Sequence, residues 1–291
     1  MTRRTWLKAA TAATAATLAC GLARPAVARS FPKQRFDDAG KLVTHRIAQL
    51  HQILIVDGYG MPVSLPADIA RRMTELKALY PGAEHTLWTG DMLRDFIAHH
   101  FDRSVLGAFD SLKAYSCKCD LGRLCLLYVK GGLYGDIMLE HYKGWKIPDG
   151  YGFAAFRQPW TFRPYTGSVS TSLLWSRPAR DELMIAIKTI VEHCRARFYG
   201  IDRIEPTGCW SLGRACAAAA TDRWRGGWDD DQYMGVHRAA GLDGDMIFHT
   251  SEPDNEAIAC RTARAPGDWT ATGLGGTNNY AAMWAARDLY K

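Results

Sequence analysis

The chain has 291 residues, of which 47% are hydrophobic and 23% charged, with a formal net charge of +6. That apolar share is ample for a folded core and excludes a largely disordered chain. Four of the basic residues (Arg3, Arg4, Lys8, Arg24) fall in the first 28 positions with no acidic residue among them, so residues 29–291 carry only +2. A nearly balanced surface gives no basic stripe for a phosphate backbone, and nucleic acid is not an expected partner.

The N-terminus reads as a targeting segment. Thr2-Arg3-Arg4-Thr5-Trp6-Leu7-Lys8 precedes an Ala/Thr/Leu stretch, and Ala26-Val27-Ala28 offers a small-residue cleavage site. The adjacent arginines with the following aromatic, leucine and lysine resemble a twin-arginine export signal. The expectation is a signal over 1–28, one domain over 29–291, and a periplasmic or secreted protein; the alternative is an uncleaved segment that anchors the chain at the inner membrane.

Pattern alternates after the signal. Leu50–Val56 is a short apolar run ending in Asp57-Gly58, Ala67–Leu79 has helical character, His85–Trp88 is strand-like, and Asp91–His99 and Ser111–Val129 are helical. Lys130-Gly131-Gly132 closes the last of these, and Leu133–Leu139 follows as a strand interrupted by Asp136. Strand and helix in turn predict an α/β fold with a mainly parallel sheet flanked by helices. Cys20 lies in the signal, which leaves seven cysteines; Cys117, Cys119 and Cys125 have no zinc spacing and read as buried thiols, with a Cys194–Cys209 bridge left open.

Cys119-Asp120-Leu121-Gly122-Arg123, then Leu127-Tyr128, Gly131-Gly132-Leu133-Tyr134 and Asp136, resembles the DXD-containing sugar-binding region of glycosyltransferase family 32 and its relatives. Leu50–Ile53, Leu87-Trp88, Ser170–Ser172, Thr207-Gly208 and Asn279–Trp284 add weaker similarity over most of 48–291. The resemblance implies a GT-A-like, Rossmann-type domain that moves a hexose from a nucleoside-diphosphate sugar to a hydroxyl of a glycan, lipid or protein acceptor, with retention. It implies donor contacts at Asp120, Arg123, Tyr134, Asp136 and Asn278, and Mn or Mg as cofactor.

The chain departs from that pattern twice. The second DXD carboxylate is Met138, a poor ligand for a hard cation. Asp136 then remains as a metal ligand, with Asp245, His249 or Asn278 as replacements for the lost oxygen, or basic side chains neutralise the diphosphate instead. Leu54 stands where relatives often carry a base-stacking tryptophan. The degenerate motif favours, as the alternative, a non-catalytic protein that binds a nucleotide sugar or carbohydrate. In the C-terminal third, Trp210, Trp224, Trp228, Tyr233, Trp269, Tyr280 and Trp284 read as core before acceptor groove, Asp229–Asp231 as a solvated loop, and Gly275–Asn279 as a turn near the donor phosphates.

Overall fold

The computed structural model describes residues 35–158, 167–226, 231–240, 245–251, 255–261, 274 and 279–291. They belong to a compact unit spanning Phe31–Lys291. The helices are α1 (Ala67–Leu79), α2 (Gly90–His100), α3 (Arg103–Ser111), α4 (Tyr115–Lys130), α5 (Asp181–Arg195), α6 (Cys209–Arg225) and α7 (Tyr280–Ala285). The strands are β1 (Gln49–Ile53), β2 (Glu84–Trp88), β3 (Gly132–Gly135), β4 (Leu139–His141), β5 (Phe153–Arg157), β6 (Leu173–Ser176), β7 (Gln232–Ala240), β8 (Asp245–His249) and β9 (Ala257–Arg261).

The strands form one sheet in the order β2-β1-β3-β6-β5-β7-β8-β9-β4. The α/β class holds, but parallel pairing is confined to β1 with β2 and β3, and to β5 with β7. The pairs β3–β6, β5–β6, β7–β8, β8–β9 and β4–β9 are antiparallel. The sheet is therefore mixed, because β7, β8 and β9 follow one another through connections too short for a parallel crossover.

Two predicted elements are each divided. Ser111–Val129 is the end of α3 and most of α4, parted at Leu112–Ala114. That break has a partner: Leu112 bridges to Tyr290, and Lys113 N–H donates to the Leu289 carbonyl at 2.7 Å, so the chain end holds the junction extended. Leu133–Leu139 is β3 and β4, parted by a turn at Asp136–Met138 in which Leu139 N–H donates to the Asp136 carbonyl at 3.0 Å.

This second division shapes the site. β3 lies third in the sheet and β4 ninth, yet only Asp136–Met138 separates them in the chain. The sheet must curl for such a short connection to join them, and the turn sits where the curl closes.

A buried cluster between the sheet and helices α2 to α6 includes Leu93, Phe109, Leu121, Phe153 and Ile187. A second cluster, with Leu50, Leu139, Trp145, Phe156 and Phe248, covers the other side of the strands. All seven cysteines from Cys117 onward are free thiols, Cys194 and Cys209 included, and all but Cys119 are buried. Burial pushes the Cys117 and Cys119 thiols up to about 12, which makes them poor nucleophiles and poor metal ligands.

Candidate functional site

The stretch Leu121–Leu127 of α4 is buried and apolar but for Arg123, and the helix end is set by Gly131-Gly132, both at positive φ (66° and 91°). A Cβ at Gly132 would stand 2.8 Å from the Gln49 carbonyl oxygen, and one at Gly131 2.8 Å from that of Ser176. The pair is needed for the chain to leave the helix and enter the sheet between β1 and β6 at once. His51 braces the turn from below, its Nε2 donating to the Gly131 carbonyl at 3.0 Å while its Nδ1 accepts from Trp88 Nε1 at 3.2 Å. This arrangement uses the neutral ring, and burial lowers its pKa to about 4.

The turn delivers β3 so that Tyr134 and Asp136 meet Arg123 of α4. Arg123 Nη1 donates to Asp136 Oδ1 at 2.9 Å and to the Thr171 carbonyl at 2.6 Å; its Nε donates to the Cys119 carbonyl at 3.0 Å. Its Nη2 lies 3.5 Å from Asp120 Oδ1. The Tyr134 hydroxyl donates to Asp136 Oδ1 at 2.6 Å, and the guanidinium lies over the Tyr134 ring at 4.6 Å. Most of the donors of Arg123 are thus spent inside the protein, and its work is to hold two carboxylates in place.

Burial works against that cation, yet Asp136, Tyr134 and Asp120 together hold the guanidinium above its ordinary pKa. Burial raises the Asp120 carboxyl, opposed by Arg123 and by Thr207, whose hydroxyl donates to Asp120 Oδ2 at 2.9 Å. Burial also raises the Tyr134 hydroxyl, which therefore stays protonated as a donor. Asp136 Oδ2 makes no hydrogen bond to a described residue, and this oxygen is the one left for a ligand.

Asp136 faces a cleft of about 150 Å³ lined also by Leu54, Tyr115, Met138, Arg261 and Tyr280. The sequence reading did not single out Tyr115, Arg261 or the cleft-facing role of Tyr280. Tyr115 begins α4 beside Leu54, and its hydroxyl donates to Asp57 Oδ1 at 2.6 Å. Arg261 reaches the cleft because β9 pairs with β4 and places Arg261 opposite Leu139, the residue after Met138. Only that long-range pairing announces it.

The remaining candidates disperse. His249 pairs with Val236 at the far end of β8, three positions from Met246, which pairs with Arg261. At about 3.3 Å per residue that is roughly 10 Å along the strand, and the His249 ring contacts the Asn255 carbonyl instead, at 3.3 Å. Asp245, adjacent to Met246, lies on the opposite face of β8. Asn278, Trp228, Trp269, Asp229 and Asp230 lie outside the described residues. Asp231 is no solvated loop residue: both its oxygens accept from Arg180, at 2.5 and 2.6 Å. Trp210 and Tyr233 are buried, as core residues should be, whereas Trp224 is exposed. Asn279 caps α7 through Ala282 N–H at 3.0 Å.

The metal expected at Asp136 meets a poor donor set. Asp136 Oδ1 is already occupied by Arg123 and Tyr134, and position 138 offers a thioether 3.8 Å from Arg72 Nη1. Arg72 itself is buried, donating to the Met138 carbonyl at 2.7 Å and to Glu140 Oε1 at 3.0 Å. Among the described residues no group of three or more His, Cys, Asp or Glu side chains is arranged to hold a metal ion. Mn and Mg take water and substrate phosphate oxygens beside one or two protein carboxylates, and a single Asp136 oxygen flanked by Arg72 and Arg123 is a poor fit to them.

The family described as "Glycosyltransferase sugar-binding region containing DXD motif" matches residues 66–143, from α1 to β4. An uncharacterised glycosyltransferase of Acanthamoeba polyphaga mimivirus is 28% identical over 131 residues, 44% of this chain and 49% of that protein. The chain thus spans about half the length of this relative. Among solved structures, the glycosyltransferase PaToxG superposes with a TM-score of 0.46 at 11% identity, covering 62% of this chain and 74% of that one. Over the matched segment the chain carries a glycosyltransferase sugar-binding region. It is glycosyltransferase-family-32-like, and the resemblance read from Asp120 to Asp136 holds.

Proposed function

We propose that the protein transfers a hexose from a nucleoside-diphosphate sugar to a hydroxyl acceptor, with retention of configuration, at the cleft beside Asp136. The observation that carries this reading is the pair of carboxylates, Asp120 and Asp136, fixed by one buried arginine, with an oxygen of Asp136 turned to the cleft. Carboxylate oxygens accept hydrogen bonds from sugar hydroxyls, and fixing them in advance removes the cost of ordering them on binding. In the reaction a bond forms between the acceptor oxygen and the anomeric carbon on the face from which the diphosphate departs, the bond to the diphosphate breaks, and the acceptor proton passes to the departing diphosphate oxygen. The protein's share is to position the sugar and stabilise the departing diphosphate.

The test is calorimetric titration of the chain with UDP- and GDP-sugars beside Asp136→Ala, followed by measurement of free UDP or GDP released with glycan acceptors. Saturable binding that Asp136→Ala abolishes, with nucleotide release, supports transfer. Binding without release under any acceptor supports the second reading, a nucleotide-sugar or carbohydrate binding protein, which Met138 favours. Absence of binding to every nucleotide sugar sinks the transfer reading and the nucleotide-sugar form of the second, and leaves only carbohydrate binding.

The paired arginines near the N-terminus motivate a further proposal, export through the twin-arginine route. The acceptor would then lie at the envelope or beyond the cell. Fractionation of cells carrying wild type and Arg3→Lys/Arg4→Lys tests it: retention of the doubly substituted chain in the cytoplasm is expected, and unchanged export overturns it.

A further inference from the structure

Among the described residues, the cleft has one cation that the described carboxylates do not use. Arg123 is committed to Asp120 and Asp136, and Arg72 to Glu140 and the Met138 carbonyl. Arg261 is exposed, lines the same cleft as Asp136, Met138 and Tyr115, and forms no ion pair with a described residue. Burial raises the Tyr280 hydroxyl across the cleft, and the charge of Arg203 and, after it, that of Arg261 oppose the rise.

Position 138 has a complementary character. The side chain there already touches the Arg72 guanidinium, and a carboxylate in its place would be drawn to that arginine and away from any metal shared with Asp136. The turn is built around cations on both sides: Arg72 behind Met138 and Arg261 in front, one strand spacing away through the Leu139–Arg261 pairing. A divalent ion placed there would meet two guanidinium groups and one free carboxylate oxygen. A diphosphate would meet a planar fork that no described carboxylate engages and that suits phosphate oxygens.

We infer that Arg261 is a diphosphate-binding residue of the cleft and that it takes the place of a divalent cation, so that the protein binds nucleoside diphosphates without metal. The inference rests on the donor site proposed above and adds to it the group that neutralises the phosphates. Met138 is then consistent with function: once a guanidinium supplies the charge, a second carboxylate, held at the turn by Arg72, would only add negative charge beside the phosphates.

The test titrates the full chain with UDP, GDP and inorganic pyrophosphate by calorimetry, once in EDTA and once with Mn, beside Arg261→Gln, Arg261→Lys and Met138→Asp. Wild type should bind UDP or GDP in EDTA with affinity that Mn does not raise. Arg261→Gln should lose about tenfold or more, the scale of a charge-assisted contact. Arg261→Lys should bind more tightly than Arg261→Gln, since it keeps the charge without the fork. Met138→Asp should weaken binding in EDTA and gain no dependence on Mn, because its carboxylate pairs with Arg72. Thermal unfolding of each variant reports whether it is folded; Arg261 is exposed at a strand end, and its variants should melt with wild type. Binding that requires Mn, or Arg261→Gln that binds as wild type does, overturns the inference and leaves the donor site standing. Failure of wild type to bind any nucleoside diphosphate under either condition overturns the donor site and the inference together.

Discussion

Arg123 and Asp136 lie 13 positions apart in sequence and 2.9 Å apart in space, joined across the glycine turn that ends α4 and begins β3. The contact explains why the motif needs its middle. The glycines set the path of the chain, β3 pairs with β1 and β6, and the end of that short strand falls where a helical arginine already waits.

Asp136→Asn should therefore disturb both stability and binding. The amide keeps an acceptor for Tyr134 or for Arg123, but not the charge that offsets a guanidinium only 6% exposed. Removing one partner of a buried pair costs about 3–5 kcal/mol. Asp120 still offsets part of the charge, and Asp136 retains some contact with solvent, so about 2–3 kcal/mol is expected in urea unfolding at pH 7. A variant as stable as wild type would show that the pair contributes nothing net.

Tyr115 is one of the aromatics lining the cleft, which also takes in Leu54, the position where relatives often carry a tryptophan. It is held by Asp57 through its hydroxyl and packs edge-on against Tyr59 at 5.6 Å. If a nucleobase stacks there, Tyr115→Ala should weaken UDP or GDP binding by about 1–3 kcal/mol while Tyr115→Phe keeps most of the affinity. Equal affinity for the alanine variant and wild type would remove Tyr115 from the site.

How much of this was legible in the sequence depends on the range of the contacts involved. Helix α1 occupies the predicted Ala67–Leu79, and the predicted Asp91–His99 differs from α2 by one residue at each end, because an amphipathic stripe and its flanking breakers are local signals. Asp120, Arg123, Tyr134 and Asp136 were legible as a group because they sit within one helix, one turn and one short strand, and the structure brings all four together. The breaks at Leu112–Ala114 and Asp136–Met138 were not, since each is set by a distant partner: the chain end at Leu289–Tyr290 in one case and β9 in the other. Arg261 was invisible for the same reason. The antiparallel meander β7–β9 has strand signals too weak to outweigh the alternating pattern of the N-terminal half.

Acid should loosen the glycine turn through His51. Its ring is buried, neutral and doubly hydrogen-bonded, with a pKa lowered by burial from 6.5 to about 4. A depressed histidine is harder to protonate in the folded chain than in the unfolded one, so its contribution is whole above pH 6.5 and is lost as pH falls from 6.5 toward 4. At about 1.4 kcal/mol per pH unit the loss by pH 5 is about 2 kcal/mol. Urea unfolding at pH 7.5, 6 and 5 should show the decline, and His51→Gln should flatten it; a pH profile identical in the two chains would assign the acid sensitivity elsewhere.

Asp120 presents the opposite sign and separates stability from binding. Its carboxyl is raised above 3.8 chiefly by burial, so the folded chain holds a proton there more readily than the unfolded one. Stability from this group is greatest at low pH and falls as pH rises from 3.8 through the raised value, because ionisation leaves a desolvated charge. Asparagine imitates the protonated form: its oxygen can accept from Arg123 while its amide donates to the Thr207 hydroxyl. Asp120→Asn should thus unfold within about 1 kcal/mol of wild type at pH 7, unlike Asp136→Asn, and yet bind a nucleotide sugar more weakly because a sugar hydroxyl loses a charged acceptor. Paired unfolding and titration measurements decide it. A variant that unfolds as readily as Asp136→Asn would mean that Asp120 is there to hold Arg123, and its buried charge would then be structural instead of a cost kept for the ligand.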